Sequence, residues 1–384
     1  MAIDKLVLGV DASRNRSGGA KNHLQGILRA VDPRNYGISE VHLWSYKSLL
    51  DRLPDCDWLV KHNPAALEDG LWKQIYWQFQ YLPNELRSVG CNLLLNTDAS
   101  TVGHFSPAIT MSRDMLSYEP GEMERFGLSL ARVRLLALRY IQNRSLSRSD
   151  AAVFLTEYAS RVIQKHTGFI NRTRIIPHGI GANFANVGLQ RQIGLKNTPI
   201  QLLYVSNIAI HKHQWNVVKA VSSLSLEGYS VHLTLAGGRG ANRANELLDV
   251  ALREFDSCGK LVTLLGGVDH DDLPNVLRKA DIFIFASSCE NMPNTLIEGM
   301  SAGLPIACSD RGPMPEILQE GGVYFNPDDV QSIEDAVRKI IDNTPLATQI
   351  ADRARELAAQ FSWKRCAEET WAYCNQIHNE YYLD

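Results

Sequence analysis

Cysteine is sparse and unpatterned. The seven cysteines of this 384-residue chain form no C-x-x-C pair and no metal-ligand spacing, which argues against a zinc-stapled fold or a disulfide framework. They read as reduced packing residues of a cytosolic chain. Long apolar runs are missing too: none approaches the roughly 20 residues of a membrane span, so any membrane contact is peripheral. The opening MAIDKLVLGVDAS is too short and too acidic for a secretory signal. Nor is there an excess of one charge. At a formal net charge of −3 nothing global marks a nucleic-acid binder.

What is present is an ordinary globular composition, long enough for two domains with real cores. One stretch, Ala280 to Leu318, organises the rest. It reads as an apolar strand (Ile282 to Ala286), a polar turn, a helix beginning near Pro293, and a second strand from Pro305 to Ser309. A Gly-Pro turn then leads into another helix. The unbroken apolar run suits a parallel strand covered on both faces. Glu290 lies in the turn at that strand's C-terminal end and Glu298 inside the following helix, separated by seven residues. In open α/β sheets ligands bind beyond the strand ends.

The N–H groups of Asn291, Met292, Asn294 and Thr295 fall at a helix N-terminus, where a phosphate can be held without a cation. Pro293 suits the first helical turn, where its missing N–H goes unnoticed. Two carboxylates flanking such an anion site would accept hydrogen bonds from vicinal hydroxyls, one of a hexose and one of a ribose. On spacing alone, Glu290 serves equally well as an N-terminal helix charge and Glu298 as a packed or solvated side chain.

Glu290 and Glu298, the Asn-Met-Pro-Asn-Thr between them, the trailing Glu-Gly-Met-Ser-Ala-Gly-Leu-Pro-Ile and the later Gly-Pro-Met-Pro-Glu resemble, in order, the E-x7-E signature of retaining GT-B glycosyltransferases. This group includes bacterial lipopolysaccharide and capsule mannosyltransferases. The resemblance implies an α/β chain of two Rossmann-like parallel-sheet domains facing across a cleft. An acceptor-side domain would span 1–182 and a nucleotide-sugar domain 183–360. A terminal helix, 361–384, would cross back to the first. The resemblance is detailed in the second domain and holds in outline in the first.

In the first half, Lys5 to Val10 reads as a strand, followed by a loop through Ser17, Gly18 and Gly19 and a helix from Ala20 to Val31. The glycine pair would let backbone approach a ligand closely. In the resembled family this loop faces the donor phosphates and the acceptor. Strands follow at Val41–Trp44, Trp58–Lys61, Cys91–Asn96 and Ala108–Met111. LWKQIYWQFQY, from Leu71 to Tyr81, reads as a helix whose rings pack, although exposed rings would stack on an acceptor sugar. Many relatives carry a His-Asp pair just after the 108–111 strand. Here Arg113-Asp114 stands in that place, and Arg113 reads either as a phosphate or hydroxyl holder or as half of a surface ion pair. His104 lies nearby, before the strand. Arg125 to Arg148 holds six arginines and no acid, interleaved with leucines. It reads as a basic amphipathic helix, either lying on anionic lipid or packed with a solvated basic face.

Another strand runs from Ala151 to Leu155, with a helix starting at Thr156. Pro177-His178-Gly179 resembles the family's interdomain linker, which puts the boundary between Gly179 and Pro199. The second half opens on a strand, Gln201 to Val205. The following loop carries Lys212, in Lys-His-Gln-Trp-Asn-Val-Val, where the family supplies a lysine to the diphosphate. Asn207 occupies the place where relatives such as phosphatidylinositol mannosyltransferases have an arginine, so the cradle has one charge fewer unless Arg113 or Arg239 compensates. Val231 to Ala236 with Gly237-Gly238 reads as a strand and a turn close to the nucleotide. Leu261 to Leu265 reads as a strand, and the loop after it, through Val268, resembles the family's base-contacting one. Asp269-His270-Asp271-Asp272 reads as capping rather than as a metal signature.

The resemblance implies transfer of a hexosyl group, mannose-like, from a GDP- or UDP-sugar to a glycan or lipid-linked glycan in surface polysaccharide synthesis, with retention of configuration. No metal or cofactor is expected. Glu290, Lys212 and Arg113 would serve catalysis. Gly18, Gly19, Asn207, Gly238, Val268, Asn291, Met292, Pro293, Asn294, Thr295 and Glu298 would hold the donor. The expected location is cytoplasmic, peripheral on the inner face of the plasma membrane. A nucleotide-sugar epimerase of the same fold and a non-catalytic sugar-nucleotide-binding module are the other readings.

Overall fold

The computed structural model describes residues 5–185, 198–240 and 243–383. Most of the expected boundary stretch between Gly179 and Pro199 lies outside them. The chain forms two compact units, Met1–Gly179 with Phe361–Asp384 and Ile180–Gln360.

The first unit is built on β1 (Leu6–Asp11), β2 (Ile38–Trp44), β3 (Leu59–His62), β4 (Leu93–Asn96), β5 (Ala108–Met111), β6 (Ala151–Phe154) and β7 (Thr173–Ile175). They make one parallel sheet in the order β3-β2-β1-β4-β5-β6-β7. The central strands are apolar on both faces: Leu8, Val10, Leu93, Leu95, Ile109 and Phe154 are fully buried, as a sheet covered by helices on both sides requires. The last helix, Trp363–Leu383, packs in this unit. Arg172, just before β7, and Arg174 on it reach Glu380 and Gln376 at 3.0 and 2.9 Å. Its first residue lies so close to the helix Gly18–Ala30 that a Cβ on Gly26 would sit 2.3 Å from the Trp363 ring.

The second unit repeats the plan with β8 (Ile200–Val205), β9 (Val231–Ala236), β10 (Val262–Gly266), β11 (Ile282–Phe285), β12 (Ile306–Ser309) and β13 (Val323–Phe325). The order is β10-β9-β8-β11-β12-β13, again all parallel. All four side chains of β11 are fully buried, each worth roughly 1.5–3 kcal/mol of transfer free energy before entropy is counted. In both sheets the order reverses between the first strand and the fourth. The crevice at the strands' C-terminal ends at that reversal is where α/β folds place ligands.

Several expectations are corrected. The helix of the first unit begins at Gly18, with the Ser17 side chain accepting from the Ala20 N–H at 3.3 Å. Gly18 and Gly19 are therefore its first turn and not a loop before it. The helix Leu71–Gln80 buries only one of its rings. Trp77 is buried, but Trp72 is 81% exposed, and Tyr76 and Phe79 are exposed as well. The arginine-rich stretch is not one helix: Arg125 lies in a 3-10 turn, Met123–Phe126, and the α-helix covers only Leu130–Arg148. Its apolar side chains point outward: Leu130, Val133, Leu136 and Tyr140 are exposed, and only Gln142, Ser145 and Leu146 are buried. Pro293 takes the cap position before the helix Asn294–Ser301, outside the first turn. Strands β7 and β13, three residues each, were not foreseen.

Candidate functional site

In the second unit the loops after β8 and β11 meet at the reversal point. The loop after β8 ends in a short 3-10 turn, Ile210–Lys212, and His213 follows with φ of 51°, the left-handed region that side chains rarely adopt. That turn aims Lys212 at Glu290, and their ammonium and carboxylate form a direct ion pair. Each of the two side chains is only 15% exposed. Three contacts fix the lysine's backbone: Tyr204 Oη donates to the Lys212 carbonyl at 2.8 Å, the Ser288 N–H donates to the His211 carbonyl at 2.8 Å, and Ser288 Oγ meets His213 Nε2 at 2.9 Å.

Glu298 belongs to the helix Asn294–Ser301, which lies close over β11. A Cβ on Gly299 would be 3.0 Å from the Phe283 ring. Glu298 is 4% exposed, and its Oε1 is 2.8 Å from His270 Nε2. His270 stands in the loop after β10 with its ring on Phe184, at 5.2 Å between centroids. Burial raises the Glu298 carboxyl above its usual range, with His270 pulling the other way. The hydrogen bond to Glu298 in turn raises the His270 imidazole. Glu298 Oε2 is buried with no partner among the described residues, and so is Oδ1 of Asn294, one turn earlier. Residues four apart share a helix face. Two buried acceptors on one face therefore await donors.

The same helix has no side-chain cap at its N-terminus, although the Asn294 N–H is spent on the Met292 carbonyl at 3.0 Å. Asn291, Met292 and Pro293 are buried at its entrance and Thr295 is half-buried in its first turn. Asn207 ties the two neighbouring loops: its Oδ1 accepts from the Gly238 N–H at 2.9 Å and its carbonyl from Gln214 Nε2 at 3.1 Å. The adjacent Gly237 comes so near that a Cβ there would be 1.9 Å from the Ser206 carbonyl oxygen. Val268 is half-buried after β10. Arg239 is paired with Asp249. Asp272 sits at a cap position without making a cap bond, so the acidic loop's contribution is His270, which its spacing did not single out. Among the described residues no group of three or more His, Cys, Asp or Glu is placed to hold a metal ion.

Gly18, Gly19 and Arg113 lie in the first unit. Gly18 is exposed with open space where a Cβ would be. Arg113 is not half of a surface ion pair. It donates to the Thr97 carbonyl at 3.3 Å, and burial pulls its guanidinium down to about 10 while Asp98 opposes the shift, leaving it charged at neutral pH. Nearby, the buried His23 and His178 rings stack at 4.5 Å. Burial, His178 and Arg113 hold His23 well below the usual histidine range.

Residues 189–357 match the family model described as Glycosyl transferases group 1. Among curated proteins, the O-antigen chain mannosyltransferase B of Escherichia coli is 27% identical over 171 residues, which is 44% of each chain. The chain thus spans less than half of the length of this and other curated relatives it matches. Among solved structures, the sucrose-phosphate synthase of Thermosynechococcus elongatus superposes with a TM-score of 0.76 at 16% identity, covering 98% of this chain and 99% of the other. Anabaena Alr3699/HepE in complex with UDP and glucose does so at 0.69 and 14%, covering 95% and 98%. Two parallel-sheet Rossmann-like units of the GT-B kind are therefore the fold.

Proposed function

We propose that this chain of GT-B fold, matched over residues 189–357 by the group 1 glycosyl transferases, is a retaining hexosyltransferase. It moves a hexose, mannose-like, from a GDP- or UDP-sugar to a hydroxyl of a glycan or lipid-linked glycan in surface polysaccharide synthesis. The observation that carries the reading is the grouping at the ends of β8 and β11 of a cation, a carboxylate and an uncapped helix N-terminus. A sugar diphosphate presents the complementary set: hydroxyls for Glu290, negative charge for Lys212 and the amides around Thr295. The ribose diol would donate to the unmet oxygens of Glu298 and Asn294. Asn207, Gly238 and Val268 would line the nucleotide, and Gly18, Gly19 and Arg113 the phosphate and acceptor side.

The acceptor hydroxyl attacks the anomeric carbon from the face the diphosphate leaves. The new C–O bond forms as the bond to the diphosphate oxygen breaks, and that oxygen takes the hydroxyl proton. Lys212, released from Glu290, balances the departing charge without a metal. Preorganised donors of this kind contribute about 2.7–4 kcal/mol each. The product side is peripheral to an anionic membrane. The outward stripe Leu130, Val133, Leu136 and Tyr140, flanked by Arg132 and Arg134, suits a headgroup surface. Among the described residues no helix is long and apolar enough to cross a membrane.

A thermal-shift panel of GDP- and UDP-hexoses tests the donor. A true donor at a hundred times its Kd stabilises the fold by about 2.7 kcal/mol. Product NMR with that donor and a glycan acceptor tests retention. No stabilisation by any sugar nucleotide, or turnover of donor alone, would remove the transferase reading.

A further inference from the structure

We propose that a cavity in the first unit, beside the helix Leu130–Arg148, binds one anionic monosaccharide, a sugar ring carrying a phosphate or a carboxylate. The cavity holds about 190 Å³, below the roughly 300–1,000 Å³ of sites for drug-sized ligands and suited to a single ring and its acid. Three side chains on its wall are at least nine-tenths buried and unmet. Asn96, at the end of β4, spends its Nδ2 on Thr110 Oγ1 at 3.1 Å and leaves Oδ1 without a donor. The hydroxyls of Thr101 and Ser145 likewise have no partner among the described residues. They are 5%, 7% and 9% exposed, and burying such groups unmet is costly. Turned into the cavity, one acceptor and two hydroxyls are what the alternating donors and acceptors of a sugar ring satisfy.

The acid is called for by Arg144 and Arg148, one turn apart on the same helix and both lining the cavity. Neither makes an ion pair among the described residues, and the planar guanidinium fits phosphate or carboxylate bidentately. Phe79, 62% exposed, lines the same cavity from the helix Leu71–Gln80 and offers a face for the ring's C–H groups. None of these residues belongs to the second unit, so the inference stands whether or not the sugar-nucleotide reading holds.

The test is calorimetric titration of the full chain with glucose 6-phosphate, glucuronate, glucose and inorganic phosphate, repeated on Arg144→Ala/Arg148→Ala and on Ser145→Val. Both arginines are exposed, so the double variant is expected to fold. One anionic sugar should bind saturably at one per chain, at least about tenfold tighter than glucose or phosphate. The double variant should lose at least about tenfold, the worth of one charge-assisted hydrogen bond, and Ser145→Val should also weaken binding. Its melting response to sugar nucleotides should be that of the wild type. The proposal falls if neither anionic sugar binds, if inorganic phosphate binds as tightly as the sugar phosphate, or if the double variant binds like the wild type.

Discussion

The Lys212 ammonium, carried after β8, is paired with the Glu290 carboxylate, carried after β11, across the point where the sheet reverses. These are adjacent parallel strands far apart in sequence, so the pair links the two loops a ligand at the reversal must touch. Each partner satisfies the other until a ligand separates them. Lys212→Ala should therefore weaken binding of the sugar nucleotide and lower transfer at least about tenfold. Glu290→Gln should keep diphosphate affinity and lose transfer by a similar factor. Paired measurements of donor Kd and transfer rate separate the two. Equal effects on both quantities in both variants would contradict this division of roles.

The contact between His270 and Glu298 predicts a pH signature. Both groups hold their protons more tightly in the folded chain than in the unfolded one. Their contribution to stability is therefore fully present below the ordinary values of about 4.3 for glutamate and 6.5 for histidine. It declines as pH rises through the raised folded values. His270 adds its part to the decline above about 6.5. The melting temperature should fall between pH 6.5 and 8.5 more steeply in the wild type than in His270→Gln. Glu298→Gln should flatten the curve as well, since it removes the bond that raises the imidazole. Parallel curves for all three proteins would show that the pair does not titrate in this range.

How much of this was legible in the sequence varies by element. The strand Val231–Ala236 and the core of β11 were, because an apolar run between turn residues admits few other readings. The place of Lys212 and Glu290 followed from the motif, but their direct pairing did not, since spacing along the chain says nothing about which loops converge. The helix Leu71–Gln80 shows another limit. Its spacing predicts one apolar face but not whether a neighbour covers it, and here Trp72, Tyr76 and Phe79 are left outside. His270 was hidden for a related reason: its partner Glu298 is 28 residues away, in the helix that follows another strand. Its position just past a strand's C-terminal end was the only available signal.

Gly237 tests the close approach of the β8 and β9 loops. Its N–H donates to the Gly266 carbonyl at 2.7 Å and its Cα faces the Ser206 carbonyl. The atoms a new methyl would meet are backbone, which cannot rotate away. Gly237→Ala should cost about 1–3 kcal/mol, as overpacking typically does. By moving Asn207 off the Gly238 N–H it should also weaken donor binding. Chemical denaturation measures the first effect and donor titration the second. An alanine variant as stable as the wild type would mean that the two loops are free to part.

The outward stripe on the helix Leu130–Arg148 makes the membrane proposal quantitative. Leu130, Val133, Leu136 and Tyr140 recur every three or four residues, so they form one side of the helix, with Arg132 and Arg134 on its two flanks. Cations near an anionic leaflet contribute about 1 kcal/mol each. Arg132→Gln/Arg134→Gln should therefore lower partitioning onto phosphatidylserine-containing vesicles roughly thirtyfold and leave the weak binding to neutral vesicles unchanged. Val133→Glu should lower both, because it removes insertion rather than attraction. Vesicle sedimentation at two salt concentrations distinguishes the terms, since only the charge term is screened. If the wild type sediments no better with anionic than with neutral vesicles, the arginines flank this stripe for some other reason.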